Sequence, residues 1–186
     1  MRLFIAFELN PVVRRALVDA CTPFHPLAQN CTWYKADKLH VTIAFLGDAA
    51  PSFLKHLTHA IDTVCGQVEP IPCRVAGFGF YGSRRYPSVL WAGVEPAAVI
   101  ETLHDRLWHA LGKLGYEKPS APFDPHITLA RCESRTRNAA LLEALDVAPA
   151  DDFVQWTAEG VTLFESRLSP RGAVYCTLHR AVFGRV

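Results

Sequence analysis

Two runs of the chain, Leu39-His40-Val41-Thr42-Ile43 and Pro125-His126-Ile127-Thr128-Leu129, set a histidine and a threonine two places apart within apolar surroundings. Side chains of an extended strand alternate between faces, so His40 and Thr42 point one way while Val41 and Ile43 point the other. The same rule pairs His126 with Thr128 against Ile127 and Leu129. An imidazole titrates near neutral pH and can give or take a proton, and a threonine hydroxyl can donate to an anionic oxygen. Two such pairs facing each other suit displacement at a phosphodiester: one ring takes the proton of the attacking water, and the other protonates the leaving oxygen.

With eight histidines in 186 residues, composition alone predicts about 0.5 His-x-Thr matches, so a single one means little. Requiring a branched or leucine side chain at both apolar positions lowers the expectation to roughly 0.03, and two such runs are hard to assign to chance. A third match, His56-Leu57-Thr58, falls in a helical pattern, where residues two apart point to different sides; it is expected to be surface. A metal site would need a third ligand, and Asp48 and Asp124 qualify only by nearness in sequence, with no HExxH pattern. No GxSxG elbow supports a nucleophilic serine. The expectation is therefore acid-base chemistry with no metal and no cofactor.

The positioning elements follow from periodicity. Residues 2 to 8 read as a strand, and Asn10 and Pro11 open a helix as N-cap and first residue. Residues 32 to 47 read as strand, turn and strand, and 51 to 66 as an amphipathic helix. Two paired strands span 71 to 94, joined around Ser83 to Pro87. A long helix then runs to Gly115, and "KPSAPFDP" leads into the second His-Thr run. A short helix near 136 to 146 and strands near 153 to 166 and 173 to 183 complete the chain. Strands and a helix thus occur twice, with one His-Thr run in each half, which points to an α+β fold with largely antiparallel sheets. Regular alternation sends Phe45 into the core.

Half of the residues are hydrophobic, enough for one sizeable core. The net charge of +1, from 19 basic and 18 acidic residues, implies no broad electrostatic grip on a duplex, which needs a clustered basic face; a nucleic-acid partner would be held locally. The six cysteines, at 21, 31, 65, 73, 132 and 176, lie far apart and are expected to be reduced thiols, mostly buried, in the cytoplasm. The apolar start "MRLFIAFEL" is too short for a signal peptide or a membrane span.

The segments "RLFIAFEL", "LHVTIAFLG", "VLWAGV", "PFDPHITLAR" and "ESRLSPRGAVYCTL", in that order, resemble the two-histidine phosphoesterases, and within them the RNA 2',3'-cyclic phosphodiesterases, also called 2'-5' RNA ligases. The resemblance covers nearly the whole chain. It implies one bilobal domain over residues 1 to 186, with two similar lobes flanking a central cleft and helices outside; the protein is expected to be a monomer. It also implies hydrolysis of terminal RNA 2',3'-cyclic phosphates, or of nucleotides bearing them, to 2'-phosphates, and reversible 2'-5' ligation. His40 would be the acid and His126 the base, with Thr42 and Thr128 on the non-bridging oxygens. Arg131 matches an arginine of the second motif, yet alternation points it away from His126 unless the strand twists, bulges or ends there. Arg84, Arg85, Arg167 and Arg171 fall in loops that could guide an RNA end. Two other functions fit the same residues: a module that binds nucleotides or RNA ends without chemistry, and a phosphodiesterase for a small cyclic phosphate.

Overall fold

The computed structural model describes residues 1–28, 30–133, 139–148, 154–170 and 172–184. Among the described residues nine strands form one sheet whose pairings are all antiparallel. They are β1 (Arg2–Glu8), β2 (Cys31–Trp33), β3 (His40–Asp48), β4 (Ile71–Ser83), β5 (Tyr86–Glu95), β6 (His126–Cys132), β7 (Gln155–Ala158), β8 (Gly160–Ser169) and β9 (Gly172–Val182). The order across the sheet is β7-β4-β5-β6-β3-β1-β8-β9, and β2 pairs with β6 off this path. A single residue, Glu159, separates β7 from β8, which lie near opposite ends of that order, so the sheet curls back on itself. The single strand expected from about 153 to 166 is therefore two, and Asp151 to Phe153 lie outside the described residues.

Among the described residues four α-helices, α1 (Pro11–Cys21), α2 (Leu54–Cys65), α3 (Ala97–Gly112) and α4 (Ala139–Asp146), cover the apolar face; residues 136–138 of the last expected helix lie outside the described residues. The Asn10 side chain accepts from the Val13 N–H at 2.9 Å, and Pro11 follows as the first helical residue. Leu17 of α1, Leu57 and Ile61 of α2, and Ile100, Leu103 and Leu107 of α3 join Val41, Ile43, Ile127 and Leu129 in one buried cluster. His56 and His59 lie exposed on α2, as the helical pattern requires. Among the described residues no helix is long and apolar enough to cross a membrane.

Where β3 and β6 meet, one residue pair forms, Val41 opposite Ile127. Beyond it the strands part: β3 continues against β1, and the second half of β6 pairs with β2. Antiparallel register around that pair sets His40 across from Thr128 and Thr42 across from His126. The middle residue of each motif is thus the seam, and the four polar residues flank it.

Cys31 and Cys132 were expected as separate thiols. They stand directly opposite each other across β2 and β6 and form a disulfide, although 101 residues separate them in sequence. Cys21, Cys65 and Cys73 are buried thiols; burial pushes the first two up to about 12 and Cys73 up to about 11.

Candidate active site

The two motifs share one burial pattern: half-buried histidine, buried apolar residue, half-buried threonine, two buried residues in a row, then an exposed one. Two buried residues in succession cannot occur in a regular strand with one open face, and the pairing shows why. On β1, Glu8, Ala6 and Phe4 occupy one face and stand opposite His40, Thr42 and Phe45. Ile43 is the extra residue, a β-bulge. On β5, Gly93, Trp91 and Val89 stand opposite His126, Thr128 and Arg131, and Leu129 is the extra residue. Each bulge carbonyl has a donor from elsewhere: His104 Nδ1 at 2.7 Å from the Ile43 oxygen, and the Tyr34 N–H at 2.8 Å from that of Leu129.

The bulges correct one expectation and resolve another. Phe45 is not in the core; it is 46% exposed, with the Arg2 guanidinium over its ring at 5.1 Å. Arg131 lies on the face of His126 and Thr128. Its Nε donates to the Tyr34 hydroxyl at 3.0 Å, and its charge reaches Tyr175.

Both imidazoles are oriented in the same way. His40 Nδ1 lies 2.7 Å from the Lys38 carbonyl and His126 Nδ1 lies 2.7 Å from that of Asp124, each two residues upstream. A carbonyl only accepts, so Nδ1 carries the hydrogen and Nε2 is left for the seam. The group that Asp124 offers to His126 is its main-chain carbonyl. In the neutral ring His40 Nε2 accepts from the Thr42 hydroxyl at 3.1 Å. Burial holds the His40 pKa below the ordinary imidazole value; the nearby His126 and Arg14 charges act in the same sense, against the Lys38 carbonyl.

Aromatic side chains wall the seam, and sequence reading did not single them out. Phe4 and Tyr175 stand 5.0 and 5.3 Å from the His40 ring, and Phe164 stacks on Phe4 at 5.2 Å. Across the seam, Tyr81 and Trp91 stand 5.2 and 6.2 Å from the His126 ring, and the Tyr81 hydroxyl is 3.2 Å from His126 Nδ1. Burial raises the pKa of both Tyr81 and Tyr175, so each is a neutral phenol. They come from the β4–β5 and β8–β9 hairpins, whose positions beside the motifs follow from strand order, and strand order leaves no local sequence signal. Trp91 lies so close over Gly79 that a Cβ there would meet its ring at 2.3 Å. Of the loop arginines, Arg84 pairs with Asp146 and Arg85 covers the Tyr86 ring. Arg167 belongs to β8, where it pairs with Glu165, and Arg171 lies outside the described residues.

Residues 11–169 match the family model of the 2'-5' RNA ligase superfamily. The chain is 36% identical over 134 residues to the RNA 2',3'-cyclic phosphodiesterase of Geobacillus stearothermophilus, covering 69% of this chain and 41% of that protein. It is 31% identical over 185 residues to the protein of the same name from Thermus thermophilus, covering 97% and 89%. Among solved structures it resembles a Thermus thermophilus protein at a TM-score of 0.85 and 29% identity, with both chains covered in full. It also shares the fold of E. coli LigT, at a TM-score of 0.80 and 24% identity over 99% of this chain and 98% of that one.

Proposed function

The chain belongs to the 2'-5' RNA ligase superfamily, and from that premise we propose that it hydrolyses terminal RNA 2',3'-cyclic phosphates to 2'-phosphates by two-histidine acid-base catalysis, residues 1 to 186 working as one bilobal unit. One observation carries the reading: the Val41–Ile127 pairing brings two motifs from opposite halves of the chain to a single seam, each imidazole with Nδ1 tied to a carbonyl.

In this mechanism water attacks phosphorus in line with the P–O3' bond. His126 Nε2 takes the proton of the water as the new P–O bond forms, and His40 Nε2–H delivers its proton to O3' as the old bond breaks. The products are a 2'-phosphomonoester and a free 3'-hydroxyl. The register sets the two histidines on one diagonal of the seam and the two threonines on the other, so acid and base approach phosphorus from opposite sides. Thr42 and Thr128 donate to the non-bridging oxygens, and Arg131 adds positive charge where negative charge accumulates. A 5'-hydroxyl in place of the water gives 2'-5' ligation with the same groups. The aromatic walls suit the ribose and base of an RNA end.

The test is incubation of chelator-treated protein with cytidine 2',3'-cyclic phosphate, the product isomer being assigned by phosphorus NMR. Cytidine 2'-phosphate is expected. Cytidine 3'-phosphate would reverse the regiochemistry, and tight binding without product would make the chain a binding module.

The titration of His40 supplies a second prediction. Burial disfavours its cation, so an NMR titration of the free protein is expected to find its midpoint below the ordinary imidazole value. Bound inorganic phosphate favours the cation and moves that midpoint up. The same pull displaces the basic limb of the kcat profile, which reports the acid in the complex, to higher pH than the basic limb of kcat/KM, which reports the free protein. A free-protein midpoint above the ordinary imidazole value, or coincident profiles, contradicts the assignment.

A further inference from the structure

The buried histidine of α3, His104, takes no part in the proton transfers above. It is 6% exposed, and burial holds its pKa below the ordinary value, so the ring is neutral. Its Nδ1 bonds the main-chain oxygen of Ile43, 61 residues away, and its ring stacks on Phe123 with centroids 3.9 Å apart and planes 11° from parallel. Phe123 immediately precedes Asp124, whose carbonyl holds His126. His104 therefore touches the bulge that follows Thr42 and the segment that leads into the second motif.

A bulge places one residue outside the regular ladder, and its polar groups need partners of their own. At Leu129 that partner is the main-chain N–H of Tyr34. At Ile43 it is the His104 ring. The two halves satisfy the same position by different means, one with backbone and one with a side chain, and the side chain is open to substitution. Ile43 is next in sequence to Thr42, whose hydroxyl bonds His40 Nε2.

We propose that His104 is a positioning residue for the active site: its Nδ1–H pins the Ile43 bulge and thereby sets where Thr42 and His40 stand relative to the second motif. The proposal rests on the reading of the seam as the catalytic site.

Two variants separate the donor from the ring. His104→Phe keeps the stack on Phe123 and loses the donor. His104→Asn places an amide N–H near the position of Nδ1 and loses the stack. His104→Phe is expected to lower kcat about 30-fold with KM within about threefold, since a misplacement of an ångström costs on the order of 10²-fold. His104→Asn is expected to stay within about fivefold of the parent, because the carbonyl keeps its partner. The amide resonances of Thr42 to Phe45 shift in His104→Phe and stay close to the parent in His104→Asn. A folded His104→Phe protein with parental kcat overturns the proposal, and so does a folded His104→Asn protein as slow as His104→Phe. If His104→Phe does not fold, the rate and amide shifts of His104→Asn decide the matter alone. The amide shifts are read without turnover, so an inactive parent would remove the proposed activity and still leave the bulge test standing.

Discussion

His40→Ala and His126→Ala each lower kcat on cytidine 2',3'-cyclic phosphate by about 10³–10⁴-fold, the upper range for a positioned acid or base and equivalent to roughly 4–5.5 kcal/mol of barrier. Both proteins fold, because both rings are only partly buried and the apolar anchors of their strands, Val41, Ile43, Ile127 and Leu129, lie on the opposite face and are untouched. The double variant is little slower than the slower single one, since acid and base act in one transition state and removing either already forfeits it. The pH dependence separates their roles. Hydroxide replaces a missing base, so His126→Ala recovers rate as pH rises. It does not replace a missing acid, because O3' still leaves as an alkoxide, so His40→Ala stays slow. Single-turnover kinetics from pH 5 to about 10 read both slopes. Recovery in His40→Ala with none in His126→Ala would exchange the roles, and activity within tenfold of the parent in either variant would remove the mechanism. His56→Ala, on the exposed face of α2, is the expected neutral control.

Alternation was enough to place His40, Thr42, His126 and Thr128 on open faces, because residue type and period two are local properties of a strand. The same rule failed three residues past each threonine. It buried Phe45, which is exposed, and turned Arg131 away from a face it shares with His126. The cause is the extra residue at Ile43 and at Leu129, and nothing in Ile43-Ala44-Phe45 or Leu129-Ala130-Arg131 announces it. What stabilises the bulges is a ring on α3 and a main-chain N–H just past β2, both far away in the chain. The Cys31–Cys132 bond was hidden for the same reason, since wide spacing in sequence carries no information about register. Element type was legible because it is written within ten residues. Strand order, which brings Tyr81 and Tyr175 to the two imidazoles, is a property of the whole sheet.

The threonines supply the second large effect, and the structure ranks them. Thr→Val keeps shape, branching and strand preference while removing the hydroxyl, so the fold is retained and the lost donor is the variable. Removal of one donor to a developing oxyanion costs about 10²–10³-fold in kcat, with KM little changed when the interaction strengthens only in the transition state. Thr42 spends its hydroxyl on His40 Nε2 at 3.1 Å in the ligand-free protein and must exchange that bond for one to phosphate. Thr128 makes no side-chain hydrogen bond of this kind among the described residues and stands across the seam from His40. A donor that gives up no earlier partner contributes more, so Thr128→Val should fall near the upper end of that range and Thr42→Val near the lower. Thr42→Ser and Thr128→Ser, which keep the hydroxyl, should recover to within about tenfold of the parent. Valine variants with parental kcat would show that the hydroxyls do not touch phosphate. A larger loss at Thr42 than at Thr128 would show instead that its bond to His40 matters to catalysis in its own right, as a support for the acid.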